Sequence, residues 1–193
     1  MILNLAPPFC AGGKTDEHQA GVGAMRPSRE TWAMGLAQLT AQRSTCYRRQ
    51  VGCVLLNRRG HVLSTGYNGV AAGLPHCNQP ELVPVVENHQ LAVEHDVPLV
   101  ADNRNICSGA RSASGTDLDG CQAIHAEQNA LLQCGDVHQI HTAFVTASPC
   151  MTCTKLLLNT ACERIIFVEE YPHNEAQALW ESSGRKWLKF DQL

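Results

Sequence analysis

From Ser28 onward the chain alternates between helix-like and strand-like runs of apolar residues. Ser28 suits a helix N-cap with Glu30 in the first turn, and Trp32, Leu36, Leu39 and Thr40 then fall on one helical face through about Ser44. "VGCVLLN" (51–57) is nearly continuous in apolar residues, the mark of a strand buried on both faces. "RRG" makes a turn, and "HVLSTGYNG" returns as a second strand ending in a Gly-rich loop. Regular order resumes after Gly120 with a helix over 124–134, the strand "TAFVTA", a helix over 150–160, the strand "RIIFVEE", a helix over 174–183 and a last strand "KWLKF". Gly135 is placed to end the first of these helices. Strands alternating with ten-residue helices predict an α/β sandwich around one sheet.

Two stretches break the pattern. Residues 1–24 hold Pro-Pro, Gly-Gly and "GVGA" without periodicity, and read as a mobile extension before a single domain over 25–193. The stretch from Leu74 to Gly120 is rich in Pro, Asn, Asp and Gly, and only "ELVPVVENHQLAVEHDV" could hold helical turns. It reads as an insertion, centred on about 78–106, too short and polar to bury a core of its own.

The 193 residues are 44% hydrophobic and 17% charged, which suits one soluble globular domain. No apolar run is long enough to cross a membrane, and "MILNLAPPFC" makes a poor signal peptide because it lacks a basic start and is broken by Pro7-Pro8. A formal net charge of −3 offers no electrostatic footprint for a nucleic-acid polymer, so a small-molecule ligand is expected. Ten cysteines without a secretion signal point to metal or catalysis in a reducing, cytoplasmic setting rather than to disulfides. Cys53, Cys134 and Cys162 sit in apolar patterns as buried small hydrophobes, and Cys10 lies in the loose N-terminal segment.

The chemistry is concentrated in two segments. "IHAEQNALLQ" plants His125 and Glu127 at the front of a core-forming helix, and "SPCMTC" opens another helix with Ser148 as cap, Pro149 in the first position and Cys150 and Cys153 three apart. Unpaired backbone N–H groups at a helix start favour thiolate over thiol. Two thiolates and one imidazole leave a fourth tetrahedral position open, the layout of a catalytic rather than a structural Zn2+ site. Glu127, two residues from His125, points elsewhere and is free to move protons. His-x-Glu followed by Pro-Cys-x-x-Cys is the signature of zinc nucleobase deaminases. Taken singly, Cys-x-x-Cys also fits a redox pair or half a structural zinc site.

With "RPSRETW", "RSTCYRRQVGCVL", "STGYNGVAAGLPHC", "HAEQNALLQ" and "SPCMTC" in place, the sequence resembles the cytidine and deoxycytidylate deaminase superfamily, and within it the deoxycytidylate (dCMP) deaminases. The resemblance implies a three-layer α-β-α sandwich around a mixed sheet of about five strands. It implies hydrolysis of dCMP to dUMP and ammonia, homohexameric assembly, and control by dCTP and dTTP. Zinc-held hydroxide would attack C4 of the cytosine, while Glu127 takes the water proton, protonates N3 and helps ammonia leave. Asn68 would lie in the nucleotide site through "GYNG", with Tyr171 near the substrate and Arg48 or Arg49 supplying charge for the phosphate. For either arginine the plain alternative is a solvated strand entrance.

Two positions depart from the pattern: Gln50 stands where relatives commonly carry lysine, and "CGD" at 134–136 where regulated enzymes often carry "AAR". The resemblance also implies a structural zinc at Cys46 and Cys77, which Cys107 and Cys121 could complete, with His76 or His89 able to replace one of them; the alternative is buried thiols. Other readings are a deaminase of another cytosine nucleotide, including 5-modified dCMP, of free cytidine or of tRNA adenosine, and a non-catalytic zinc-containing nucleotide-binding module.

Overall fold

Along one central strand Val54 and Leu56 face one way and Cys53 and Leu55 the other, and this alternation divides the core in two. The computed structural model describes residues 26–77, 81–84, 99–102, 107–113, 116, 120–171 and 174–192. The N-terminal extension, Cys10, His89 and most of the 78–106 insertion lie outside them. The elements are α1 (Arg29–Ala41), β1 (Gly52–Asn57), β2 (Val62–Tyr67), β3 (Gly69–Val70), β4 (Glu81–Pro84), β5 (Leu99–Asp102), α2 (Ser108–Arg111), β6 (Ala123–Ile124), α3 (Ala126–Gln133), β7 (Ile140–Ala147), α4 (Met151–Leu158), β8 (Arg164–Glu169), α5 (Asn174–Ser182) and β9 (Lys186–Lys189).

Five strands form one mixed sheet in the order β2-β1-β7-β8-β9. β1 runs antiparallel to β2 and β7, whereas β7, β8 and β9 are parallel. On one face α1 sets Ala33, Met34 and Ala37 against Val54, Leu56, Phe144 and Ile166. On the other, Ala126 and Ala130 of α3, Leu157 of α4 and Trp180 of α5 cover Cys53, Leu55, Val145 and Ile165. Trp180 is fully buried, and its indole N–H donates to the Lys186 carbonyl at 3.0 Å. The architecture is the three-layer α-β-α sandwich expected, with a five-stranded mixed sheet.

Ser28 caps α1 as predicted, its hydroxyl accepting from the Thr31 N–H at 3.0 Å. The buried face of that helix differs from the prediction: Trp32 and Leu39 are exposed, and Ala33, Met34, Ala37 and Ala41 are buried. Close approach selects the small residues. A Cβ on Gly52 would lie 2.0 Å from the Ala37 carbonyl oxygen, so α1 rests directly on the backbone of β1. Gly135 is not in the left-handed region; α3 ends instead at an extended Cys134. "ELVP", expected to hold helical turns, is a strand, β4, paired antiparallel with β5 with Leu82 opposite Ala101 and Val83 opposite Val100. Among the described residues no helix is long and apolar enough to cross a membrane.

A comparably close contact lies between α3 and β2. A Cβ at Gly66 would come within 2.2 Å of the Ala126 carbonyl oxygen and 2.3 Å of the Ala130 nitrogen. Gly66→Ala therefore has to lift α3 off the sheet. The expected loss of stability is about 2–3 kcal/mol, read by urea denaturation; a change below about 0.5 kcal/mol would show that the contact relaxes without cost.

Candidate metal centre

Parallel α/β sheets present their sites beyond the carboxyl ends of the strands. The end where β7 and β8 finish also receives the start of β1 and the end of β2, through the antiparallel pairing. A pocket opens there, bordered by Val51, Asn68, Ala147, Ser148, Cys150 and Tyr171, with His125, Ala126 and Glu127 at the start of α3.

His125 and Cys150 are the N-caps of α3 and α4. The Gln128 side chain accepts from the His125 N–H at 2.9 Å, which fixes the entry of α3. The His125 Nδ1 lies 3.4 Å from the sulfurs of both Cys150 and Cys153, and the three donor atoms all fall within 4.8 Å of one another. Tetrahedral zinc with Zn–N of ~2.0–2.1 Å and Zn–S of ~2.3 Å sets an N···S separation of about 3.5 Å, so the donor set fits the ion. Among the described residues no other group of three His, Cys, Asp or Glu side chains is so arranged. The Cys150 thiol is pushed down to about 4, chiefly by the hydrogen bond from Cys153 and then by His125 and the Cys153 backbone N–H; the same pairing, with burial, pushes Cys153 up.

Glu127 is buried beside this set and shares a hydrogen bond with Cys153. Burial raises its carboxyl to about 7, where loss and recapture of a proton are nearly balanced near neutrality.

The remaining predicted residues divide. Asn68 borders the pocket, but its side chain clamps the 44–51 loop: Oδ1 accepts from the Val51 N–H at 2.8 Å and the Ser44 hydroxyl at 2.7 Å, while Nδ2 donates to the Arg49 carbonyl at 2.7 Å. Arg48 donates to the Gly109 carbonyl at 2.6 Å. Arg49 is ion-paired with Glu169 and lies 5.8 Å from the centroid of the Tyr171 ring. Ser148 does not cap α4. Its hydroxyl accepts from the Tyr171 N–H at 2.7 Å, and its own N–H donates to the Glu169 carbonyl at 2.8 Å, which ties the β8 exit to the pocket wall.

Cys53 and Cys162 are buried as expected, and Cys134 is half-buried. Cys46, Cys77, Cys107 and Cys121 gather beside the pocket as two pairs: Cys77 and Cys107 sulfurs 3.8 Å apart, and Cys46 hydrogen-bonded to Cys121. That second contact holds Cys46 down at about 5. No three of these sulfurs fall within 4.8 Å of one another. Gln128 and Glu169 were not singled out in the sequence, and Ser44 and Ser148 stood there only as a helix end and a helix cap. Only Gln128 carried a local signal, as the third residue after a helix cap.

The family model for the cytidine and deoxycytidylate deaminase zinc-binding region matches residues 27–169. The deoxycytidylate deaminase of Mycobacterium phage D29 is 35% identical over 75% of this chain and 98% of its own length. Those of Schizosaccharomyces pombe and Saccharomyces cerevisiae are 33% and 30% identical over 76% and 83% of this chain, but only 38% and 44% of theirs. The chain thus spans under half the length of these two yeast relatives. Among solved structures, the dCMP deaminase of cyanophage S-TIM5 in complex with dCMP and dUMP shares the fold, with a TM-score of 0.56, 23% identity and coverage of 86% of this chain and 98% of that one. The fold and the His-Cys-Cys cluster are those of a zinc-binding region of this kind. This chain belongs to the cytidine and deoxycytidylate deaminase zinc-binding family.

Replacing Cys150 by Ser removes one of three protein donors. The zinc retained after dialysis, measured by mass spectrometry, should fall by close to one equivalent per chain; unchanged content would remove His125, Cys150 and Cys153 as the ligand set.

Proposed function

We propose that this protein hydrolyses dCMP to dUMP and ammonia. The observation that carries the reading is the buried Glu127 carboxyl beside the three converging donors His125, Cys150 and Cys153, at the floor of an open pocket. His125, Cys150 and Cys153 would hold zinc, which would supply a Lewis acid able to lower the pKa of water to ~7. Glu127 takes a proton from water as the water oxygen bonds to C4 of the cytosine, delivers that proton to N3, and then passes the second water proton to the 4-amino group, which leaves as ammonia as the C4–N bond breaks. Its burial suits this task, because a carboxyl near 7 serves as base and acid in turn. Asn68 keeps the 44–51 loop at the pocket mouth. Arg48 and Arg49 place two guanidiniums there, and the contacts described use one nitrogen of each, leaving donors for a 5′-phosphate. Tyr171 walls the same side. The relatives named deoxycytidylate deaminase support this choice of substrate.

Further parts of the reading are the single catalytic domain over 25–193 with an insertion at about 78–106, cytoplasmic location, control by dCTP and dTTP, and assembly as a homohexamer. The exposed Leu132 and Leu156, which border an apolar hollow with Ile124 and Leu131, support contact between copies on the α3–α4 side. A second, structural zinc among Cys46, Cys77, Cys107 and Cys121 is supported by their gathering from four separate segments, and would draw the two sulfur pairs together.

Glu127→Gln should lower dCMP turnover by about 10²–10⁴-fold while zinc content stays at the wild-type level. A Gln variant that still releases ammonia at the wild-type rate would end the proton-transfer assignment. The zinc count offers a separate check. The wild type should hold two equivalents and a Cys77→Ser, Cys107→Ser variant one, whereas a single equivalent in both would leave those cysteines as buried thiols.

A further inference from the structure

A glutamate stands at each end of β8, Glu163 just before it and Glu169 as its last residue, and each is ion-paired with an arginine from another segment. Glu163 pairs with Arg58 of the β1–β2 turn, whose side chain is 71% exposed, in the manner of an ordinary surface pair. Glu169 pairs with Arg49, whose side chain is only 28% exposed and borders the metal pocket. Glu169 itself lies outside the pocket lining.

Arg49 is thereby held at both ends. Its carbonyl accepts from Asn68 Nδ2 at 2.7 Å, and its guanidinium meets the Glu169 carboxylate through Nη2, with Cζ 5.8 Å from the centre of the Tyr171 ring. Glu169 leaves from a rigid strand end: it lies opposite Ala147 in the β7–β8 ladder, and its carbonyl accepts from the Ser148 N–H at 2.8 Å. Arg48, the preceding residue, turns to different partners, donating to the carbonyls of Gly109 at 2.6 Å and Ala113 at 3.4 Å. A partly exposed ion pair contributes little to stability, so the consequence of the Glu169 contact is placement. An arginine side chain gives up much rotamer freedom when it is fixed on a ligand, and Glu169 takes that loss before any ligand arrives. The pair occupies Nη2 and leaves the N–H groups of Nε and Nη1 for a second anion.

We infer that Glu169 is a positioning residue for the substrate: it aims the Arg49 guanidinium at the 5′-phosphate without touching the nucleotide itself. The inference rests on the reading that Arg49 serves the phosphate of a nucleotide substrate. It makes preference for a nucleotide over its nucleoside depend on a carboxylate outside the pocket.

The test is steady-state kinetics of the full zinc-loaded chain on dCMP and deoxycytidine, with thermal melts checking that each variant folds. Moderate salt screens the direct repulsion between the phosphate and a Glu169 side chain that is 65% exposed. Glu169→Gln keeps the side-chain length and removes the charge. It should raise KM for dCMP about tenfold with kcat little changed, the signature of lost uniform binding. Its kcat/KM for deoxycytidine should stay at the wild-type level. Glu169→Asp, which keeps the charge on a shorter side chain, should recover part of the loss. In an Arg49→Gln background, Glu169→Gln should add nothing. An unchanged or lower KM for dCMP, an equal loss on both substrates, or a full further effect in the Arg49→Gln background would overturn the inference. A wild type without preference for dCMP over deoxycytidine would overturn the phosphate reading and this inference with it, so the two failures are told apart.

Discussion

The contact on which the site depends is backbone against backbone: α3 lies so close to β2 that only a glycine fits at position 66. This closeness sinks the first turn of α3 beneath the sheet edge, burying Glu127 and bringing the His125 ring toward the start of α4. α4 is set in turn by β7, which delivers Cys150 at its end, and by Leu157 in the shared core. Two helix starts are thereby brought together by packing that has no chemistry of its own. Each donor is a cap or first-turn residue, and the Cys153 backbone N–H points at the Cys150 sulfur.

Around this fixed floor the walls are tied by hydrogen bonds rather than by apolar burial. Asn68 joins the loop after β2 to the loop before β1, and Ser148 joins the end of β7 to the end of β8. Arg49 reaches from the first of these loops to Glu169 and across the face of Tyr171, closing the ring. Burial fixes the Glu127 carboxyl, whereas the charged side chains at the rim keep some exposure.

The legible parts of this design were local. Ser28 as a cap, the both-face apolar run of β1, and the His-x-Glu and Cys-x-x-Cys spacings each express a rule satisfied within a few residues, and each was found where expected. The parts that depend on distant neighbours were not legible. α1 buries its alanines rather than Trp32 and Leu39 because Gly52 lets the helix touch the strand, a fact carried 15 residues away. "ELVP" needs "LVAD" to become a strand. The roles of Ser148 and Glu169 exist only once β7 and β8 lie side by side.

The central claim is that the pocket deaminates the base of a nucleotide and reads its phosphate through Arg48 and Arg49. It is tested most directly by ammonia release from dCMP, deoxycytidine and CMP under identical conditions with the zinc-loaded protein. The account predicts turnover of dCMP well above that of both others. Equal or faster turnover of deoxycytidine would contradict the assignment of the two arginines, and no release from any of the three would contradict the assignment of the reaction.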